Sequence, residues 1–381
     1  MTKSNAKKKQ KKHLKSADKS ASLLKVTKVS AEKLKLNKAP DQNDTRKPRV
    51  ISLFAGCGGL DLGFHKAGYE IVYANDIDPA VKETYEYNLG TIDIRDIRTI
   101  KKSELPDADV VLAGIPCQPF SNAGNRRSTA DDRGTLFGQV LEVVDEKAPA
   151  VVVFENVRGF LSSKDDNGTP MPLRLQKELK RHGYDLYYQL VNASDYGVPQ
   201  NRYRVFLIGV KSSSRKSFVF PTPIPKTDKL TVGHVIGKPM PKDEQKEVWE
   251  LSPQSIKLAR HIPEGGSWKS IPEKHLPPRL KRILKEMKRY HSPNFYRRFS
   301  REEIMGTITA AGTPENSGII HPLENRRYSV REIARFQSFP DDFKFIGPSV
   351  SKKYKMIGNA VPSVLAYHIA NSIKEQLFDL D

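Results

Sequence analysis

From residue 49 onward, short runs of apolar residues alternate with longer stretches whose apolar positions follow a helical period. The runs predict five strands, at Arg49–Phe54, Glu70–Ala74, Val110–Leu112, Ala150–Phe154 and Arg204–Val210. Strands that alternate with helices in this way form a parallel sheet with helices on both faces. We therefore expect an α/β fold with a doubly wound sheet.

The pattern changes between residues 211 and 325, where the chain is proline-rich and irregular. One basic amphipathic helix is predicted there, at Arg279–Tyr290. Its inward positions are Leu280, Ile283, Leu284 and Met287, and its outward positions are Lys281, Lys285, Lys288 and Arg289. After this stretch, Ser329–Glu332 predicts a capping box that begins a helix. We predict one domain from residues 49–210 plus 326–381 and a second, smaller one from 211–325.

Charge is distributed unevenly along the chain, whose net charge is +20 at pH 7. Residues 1–49 hold 16 Lys and Arg against 4 acidic residues, residues 211–325 hold 21 against 12, and the remainder is close to neutral. Such basic regions are typical of proteins that neutralise nucleic-acid phosphates, and a solubilising surface is the alternative. Residues 1–48 also lack aromatic side chains, so we predict a disordered basic tail that adds phosphate contacts.

The composition argues against a membrane-bound or secreted protein. No apolar run approaches the ~20 residues of a membrane span, and the amino-terminal region is too charged for a secretory signal. The chain has two cysteines, Cys57 and Cys117, in no CxxC or Cys/His spacing. We expect an intracellular, cytoplasmic protein without disulfides or a zinc site. Nothing in the sequence requires more than a monomer.

A glycine turn follows the first predicted strand, in the sequence Phe54-Ala-Gly-Cys-Gly-Gly-Leu60. Such a turn lets a ligand approach the backbone at the carboxyl end of a strand. A dinucleotide site would place a third glycine at Asp61, whereas Asp76 ends the next strand, where a carboxylate typically binds ribose hydroxyls. The combination favours a nucleoside ligand such as S-adenosylmethionine, and an ordinary tight turn is the alternative.

Candidate catalytic residues follow the later strands. Cys117 comes after Val110–Leu112 between two prolines that stiffen the backbone, and Glu155 comes directly after Ala150–Phe154. In a parallel sheet both side chains reach the carboxyl edge, where such folds bind their ligands. Each has a structural alternative, since a free cysteine is often a small buried residue and a carboxylate often caps a helix.

A third set of polar residues, Gln200-Asn-Arg-Tyr-Arg204, places two guanidinium groups at the start of the last predicted strand. Arginine forks bind carboxylates and phosphates, so Arg202 and Arg204 are candidates for holding an anionic or carbonyl group of a substrate. A solvated edge-strand face is the alternative.

The order and spacing of these motifs resemble those of the C5-cytosine DNA methyltransferases, especially those of bacterial restriction–modification systems. The resemblance covers about residues 50–210 and 325–375. It implies a Rossmann-like, S-adenosylmethionine-dependent methyltransferase domain with a small irregular target-recognition domain at 211–325. Double-stranded DNA is the implied substrate, and a functionally paired restriction endonuclease is an implied partner.

The resemblance also assigns site residues. The cofactor site comprises Phe54, Gly56, Gly58, Gly59, Leu60, Asp76, Asp96, Ile97 and Asn359. The catalytic set is Cys117, Glu155, Arg202 and Arg204. The polar segment Ser121–Asp132 predicts a mobile loop over the DNA, and Thr307–Gly312 is the loop expected to read bases. The DNA-binding residues are therefore Ser121, Arg126, Arg127, Thr307, Thr309 and Gly312. Two departures from the family are Asp76, usually Glu, and Ser52, often Asp.

The implied reaction explains these residue types. Cytosine C5 is too weak a nucleophile to attack a methyl sulfonium, but addition of the Cys117 thiolate at C6 places electron density on C5. Glu155 would stabilise the charge that develops at N3, and Arg204 would hold O2. The base must be flipped out of the duplex, because C6 cannot be reached inside the stack.

Two rival functions share this fold. A tRNA cytosine-5 methyltransferase is the first, although Pro119–Gly124 resembles the sequence of the DNA enzymes. The second is a non-catalytic DNA-binding regulator, which would not need the intact set of Cys117, Glu155 and Arg204.

Overall fold

A mixed six-stranded sheet forms the centre of the protein. The computed structural model describes residues 46–115, 135–165, 167–225, 227, 229–286, 294–315 and 317–379. The strands are β1 (Arg49–Leu53), β2 (Glu70–Asn75), β3 (Val110–Ala113), β4 (Val151–Val157), β5 (Tyr184–Asn192) and β6 (Tyr203–Lys211). All five strands predicted from the sequence are confirmed, with bounds that differ by a few residues.

Eleven α-helices lie in the described ranges. They are α1 (Gly59–Lys66), α2 (Lys82–Leu89), α3 (Leu136–Lys147), α4 (Met171–Arg181), α5 (Val232–Ile236), α6 (Lys242–Lys246), α7 (Pro253–Ala259), α8 (Pro278–Glu286), α9 (Val330–Phe336), α10 (Val350–Asn359) and α11 (Ser363–Leu377). None of the helices described is long and apolar enough to cross a membrane.

The strand order is β2-β1-β3-β4-β6-β5. Strands β1 to β4 pair in parallel, as predicted, but β6 runs antiparallel to both β4 and β5. The prediction of an all-parallel sheet is therefore wrong at this side. Only residues 193–202 connect β5 to β6, and a parallel crossover needs about a dozen residues or more. The pattern also missed β5, because this edge strand leaves Tyr188 exposed and has no continuous apolar run.

Helices cover both faces of the sheet. Helices α1 and α11 pack on one face, where Phe64 and Ile369 are fully buried against the strands. Helices α3 and α4 pack on the other face through side chains such as Val140 and Leu179. The doubly wound arrangement therefore places the ends of β1, β3 and β4 along one edge of the sheet, at the top of a continuous core.

The irregular stretch between 211 and 325 contributes to three apolar clusters, the first of which is the sheet core that contains Phe218. Residues from Leu251 to Tyr296, together with Ile320, form a small core of their own around Trp268. Met305, Ile308 and Ile319 instead pack with α9 and α10. Part of this stretch thus has a separate core and part is joined to the sheet domain.

Two predicted local features can be compared with the structure. The capping box at α9 is confirmed, since Ser329 Oγ accepts a hydrogen bond from Glu332 N (3.2 Å) and Glu332 Oε2 accepts one from Ser329 N (2.6 Å). The basic amphipathic helix is present as α8, with Leu280 buried. Leu284 is 42% exposed, so its predicted inward position is wrong. Met287, Lys288 and Arg289 lie outside the described residues.

Candidate active site

The antiparallel direction of β6 brings its first residues to the carboxyl edge of β4. In the register of the two strands, Val157 is opposite Arg204 and Glu155 is opposite Phe206. Glu155 lies inside β4, two residues before its end, and not after a strand that stops at Phe154. A carboxylate and a guanidinium that are 49 residues apart in sequence are thus adjacent in space.

Glu155 and Arg204 form a largely buried ion pair at this edge. Arg204 Nε lies 2.7 Å from Glu155 Oε1, and the two side chains are 11% and 12% exposed. Arg204 Nη1 also donates a hydrogen bond to the carbonyl of Tyr203 (2.8 Å). Charge-assisted bonds of this kind are strong and directional. The pair is therefore a rigid, polar site that could bind a group with both donor and acceptor atoms.

A small opening lies beside Glu155. Its walls are mostly apolar: Ile115, Phe137, Phe154, Phe160, Met171, Leu175 and Leu207, with Asn156 and Arg174. Asn156 Nδ2 donates a weak hydrogen bond to the Ile115 carbonyl (3.4 Å). Ile115, two residues before Cys117 in the sequence, therefore contacts the residue that follows Glu155. Cys117, Ser121, Arg126 and Arg127 belong to residues 116–134, which lie outside the described residues.

Arg202 occupies a different environment from Arg204. It is 1% exposed, and its terminal nitrogens donate hydrogen bonds to the carbonyls of Ile308 (2.8 Å), Gly358 (2.8 Å) and Ala360 (3.0 Å). Because these donors are occupied by the protein backbone, this placement does not support the expectation that Arg202 holds substrate. Arg202 precedes β6. The two-residue alternation of side chains in a strand, which would place Arg202 on the same face as Arg204, therefore does not apply to it.

The glycine turn after β1 has the unusual backbone that its sequence predicts. Gly56 and Gly58 have φ values of +58° and +86°, and Phe54 is also at positive φ (+58°). Gly58 is the residue before α1, and a Cβ there would lie 2.2 Å from Leu89 Cδ1. At Gly56, a Cβ would meet no described atom within 4 Å. The turn is therefore closely packed around Gly58, whereas the space beside Gly56 is open.

Asp76 is tied directly to this turn. Its Oδ2 accepts a hydrogen bond from Gly56 N (2.8 Å), and its Oδ1 accepts one from Asp78 N (2.8 Å). Burial raises the pKa of Asp76, although the two backbone N–H groups oppose this shift. The structure thus brings together the predicted ribose-binding carboxylate and the predicted cofactor turn.

The remaining predicted cofactor residues surround this turn. Gly59 approaches the carboxyl-terminal region closely, since a Cβ there would lie 2.3 Å from Val361 O. Asn359 is exposed at the end of α10, two residues before that contact. Leu60, the second residue of α1, is 6% exposed and packs in the core of the sheet.

Asp96 and Ile97 lie farther along the chain, beyond the end of β2. Asn75 Nδ2 holds this segment by donating to the carbonyls of Asp93 (2.9 Å) and Arg95 (2.8 Å). Asp96 is partly exposed and pairs with Arg98 (3.0 Å), and Ile97 is 2% exposed within the core. Asn75, which the sequence did not single out, therefore positions this segment beside Asp76.

A buried hydrogen-bond network beneath the turn was not predicted from the sequence. Asp61 is fully buried and accepts hydrogen bonds from Ser52 Oγ (2.6 Å) and Tyr85 OH (2.5 Å). Burial raises the pKa of Asp61 to about 6, while the two hydroxyl donors oppose the shift. An aspartate between Leu60 and Leu62, in the first turn of a buried helix, is the signal that could have revealed it.

The predicted base-reading segment lies against the sheet domain. Thr307 Oγ1 donates to the carbonyl of Asn201 (2.7 Å), and the Thr309 hydroxyl is bonded to Ser317 Oγ (2.8 Å). Gly312 is buried at positive φ (+53°), where a Cβ would lie 3.1 Å from Tyr354. The hydroxyls proposed to contact bases already have protein partners.

Comparisons with known proteins agree with this architecture. Residues 48–375 match the family described as C-5 cytosine-specific DNA methylase. The chain is similar to the type II methyltransferase M.NgoFVII of Neisseria gonorrhoeae, at 35% identity over 341 residues and 87% of each chain. It is also similar to M.FnuDI of Fusobacterium nucleatum, at 36% identity over 87% of this chain and 95% of the relative.

Among solved structures, an Entamoeba histolytica methyltransferase has a similar fold, with a TM-score of 0.60 and 14% identity over 88% of this chain and all of the other. Together with the sequence match, this fold places the chain in a known enzyme class. The protein belongs to the C-5 cytosine-specific DNA methylases. The predicted Rossmann-like α/β fold and the enzyme class are confirmed. Members of this family generally use S-adenosylmethionine, and DNA is their substrate.

Proposed function

We propose that this protein methylates C5 of cytosine within a specific duplex DNA sequence, through a covalent bond between Cys117 and C6 of a flipped-out base. The observation that carries the proposal is the buried pair of Glu155 and Arg204 beside an apolar opening. A pyrimidine ring needs apolar walls for its faces and fixed polar groups for its edge. Groups of both kinds lie together at this edge of the sheet.

Each catalytic residue would act on one atom of the base. The Cys117 thiolate adds to C6, and Glu155 stabilises the charge that develops at N3. Arg204 fixes the Glu155 carboxyl through Oε1 and directs its remaining donors at the cytosine O2. After C5 has been methylated, a base removes the C5 proton and the C6–S bond breaks, which releases the Cys117 thiolate.

The second cysteine supports the assignment of Cys117. Cys57 is 2% exposed, and its Sγ is 3.6 Å from the Met356 carbonyl. Burial raises the pKa of the Cys57 thiol to about 12, so its thiolate is almost absent at neutral pH. Cys57 is therefore unsuited to be the nucleophile, and Cys117 is the other cysteine of the chain.

The glycine turn fits the adenosyl cofactor of the family. The space above Gly56 leaves room for a ligand against the backbone, and Asp76 presents a carboxylate at the same place. When bound, S-adenosylmethionine would supply an electrophilic methyl group. Gly56 and Asp76 would hold its ribose and amino-acid portions, with Ile97 and Asn359 contributing at the margins of the site.

The same proposal gives the rest of the chain its roles. Residues 211–325 would contact the DNA target, assisted by Ser121, Arg126 and Arg127, while the basic tail would add phosphate contacts. We further propose that the protein acts as a monomer in the cytoplasm, bound to nucleoid DNA, alongside a restriction endonuclease of the same specificity. The relatives named above carry the type II designation of such systems.

Covalent trapping tests the mechanism. Duplex DNA in which the target cytosine is replaced by 5-fluorocytosine should form a denaturation-resistant adduct with the wild-type protein and S-adenosylmethionine, because fluorine cannot leave C5 as the proton does. Bisulfite sequencing of DNA from expressing cells first locates the target. Cys117→Ser should form no adduct yet still bind the duplex, whereas Cys57→Ser should still form it.

The outcomes separate the alternatives. An adduct or sustained turnover by Cys117→Ser would overturn the covalent role of Cys117. Transfer of tritium from labelled cofactor to tRNA but not to duplex DNA would favour an RNA methyltransferase. Absence of transfer to either nucleic acid would favour a DNA-binding regulator.

A further inference from the structure

Arg202 lies at a junction of three chain segments. Its guanidinium joins Ile308, in the irregular region, to Gly358 and Ala360, at the end of α10. These carbonyls are 106, 156 and 158 residues away in sequence. A buried arginine that satisfies three carbonyls holds them in fixed positions relative to one another, because its planar fork allows little rearrangement.

Neighbouring residues reinforce the same junction. Gln200 Oε1 accepts a hydrogen bond from Ile308 N (2.9 Å), and Asn201 N donates one to the Met305 carbonyl (2.7 Å). On the other side, a Cβ at Gly358 would lie 2.5 Å from the carbonyl of Thr309. The two segments that Arg202 bridges therefore also touch each other through their backbones.

Each bridged segment leads to a different binding site. Ala360 adjoins the cofactor turn, since a Cβ at Gly59 would lie 3.1 Å from the Ala360 Cβ. Ile308 lies within Thr307–Gly312, the segment predicted to face DNA. Arg202 is also two residues before Arg204, which pairs with Glu155. One side chain thus contacts the supports of the cofactor site and of the DNA-binding region.

We propose that Arg202 is a positioning residue that links cofactor binding to DNA binding. Occupancy of the glycine turn restrains residues 358–361, and Arg202 passes this restraint to residues 305–309, so that each ligand raises the affinity for the other. The proposal rests on the function proposed above. It concerns the coupling of the two ligands and not the chemistry of the base.

A second buried arginine provides a matched control. Arg298 is 3% exposed and donates to the carbonyls of Ala259 (2.8 Å) and Glu324 (2.8 Å), among others. Among the described residues, its side-chain hydrogen-bond partners lie between residues 259 and 325, so it stabilises the small core and does not bridge to residues 358–361. Replacing either arginine by lysine keeps a positive charge but loses the fork.

The experiment measures mutual affinity. S-Adenosylhomocysteine, a non-reacting cofactor analogue, is titrated into full-length protein with and without the target duplex, and the duplex is titrated with and without the analogue. Each pair of titrations gives the ratio of the affinities measured with and without the other ligand. Thermodynamic linkage requires that the two ratios agree. We expect a ratio within the usual ~5–150-fold range for the wild type and for Arg298→Lys. We expect a ratio close to one for Arg202→Lys, which should still bind each ligand alone.

Several outcomes would overturn the proposal. These are an unchanged ratio in Arg202→Lys, an equal loss in Arg298→Lys, or a ratio of one in a wild-type protein that methylates DNA. Absence of methyl transfer by the wild type would instead refute the proposed function. If Arg202→Lys does not fold, Gln200→Met breaks the junction at Ile308 N and should also lower the ratio, and an unchanged ratio in that variant refutes the linkage.

Discussion

Two buried carboxylates at the top of the sheet, Asp61 and Glu155, differ in the partners that surround them. Among the described residues, Asp61 accepts side-chain hydrogen bonds from the neutral hydroxyls of Ser52 and Tyr85, whereas Glu155 is paired with the guanidinium of Arg204. The β1 side therefore combines carboxylates that have no cationic partner of this kind with open backbone at Gly56, whereas the β4–β6 side brings opposite charges into contact. This division suits a site that holds a cofactor on one side and changes the charge of a base on the other.

The largest expected effect is on the charged side. Glu155→Gln removes the carboxyl group proposed to act at N3 while keeping the size of the side chain, so the single-turnover rate of methyl transfer should fall by roughly 10²–10⁴-fold. DNA binding, measured by fluorescence anisotropy, should change much less. Glu178→Gln, which alters a surface pair with Arg181, is the control and should leave the rate unchanged. A fall of less than about threefold in Glu155→Gln would remove this residue from the mechanism.

An intermediate effect is expected at the glycine turn. Gly56→Ala places a Cβ in the open space above the turn, so the affinity for S-adenosylhomocysteine should fall by at least ~10-fold, while left-handed strain costs only about 1–2 kcal/mol. Gly58→Ala adds a collision with Leu89 to the same kind of strain and should lower the melting temperature more. Calorimetric titration and thermal unfolding give both quantities. Equal loss of stability with unchanged affinity in Gly56→Ala would contradict the proposed cofactor position.

The smallest effect concerns Asp61 and pH. Its pKa is raised to about 6, above the value in an unfolded chain, so the folded state favours the protonated form. This contribution to stability is complete below about pH 4 and is lost as pH rises to about 6, with a total of about 3 kcal/mol. Asp61→Asn cannot ionise, so its free energy of unfolding should change less over this range. Chemical denaturation at several pH values measures the difference, and parallel pH profiles would refute the assignment.

Much of the fold could be predicted because it depends on local sequence. Strands β3 and β4 contain the continuous apolar runs Val110–Ala113 and Val151–Phe154, and the positive φ angles of Gly56 and Gly58 require residues that tolerate them. The capping box of α9 is likewise a local pattern. Such features need no knowledge of the rest of the chain.

The site could be predicted only in part, because its geometry depends on long-range contacts. A parallel β6 would have placed Arg204 at the opposite edge from Glu155, and the short connection after β5 decides the direction. The bonds of Arg202 to carbonyls more than a hundred residues away have no local signal. The same holds for the hydroxyl partners of Asp61, one of which comes from α2.

The reversed direction of β6 also has a consequence for biosynthesis. Strands β1 to β4 lie within residues 49–157, whereas Arg204 arrives with the hairpin of β5 and β6. A growing chain that has folded its parallel strands therefore still lacks the partner of Glu155 until the hairpin docks on β4. The pair of Glu155 and Arg204 would therefore form late, when the last two strands complete the sheet.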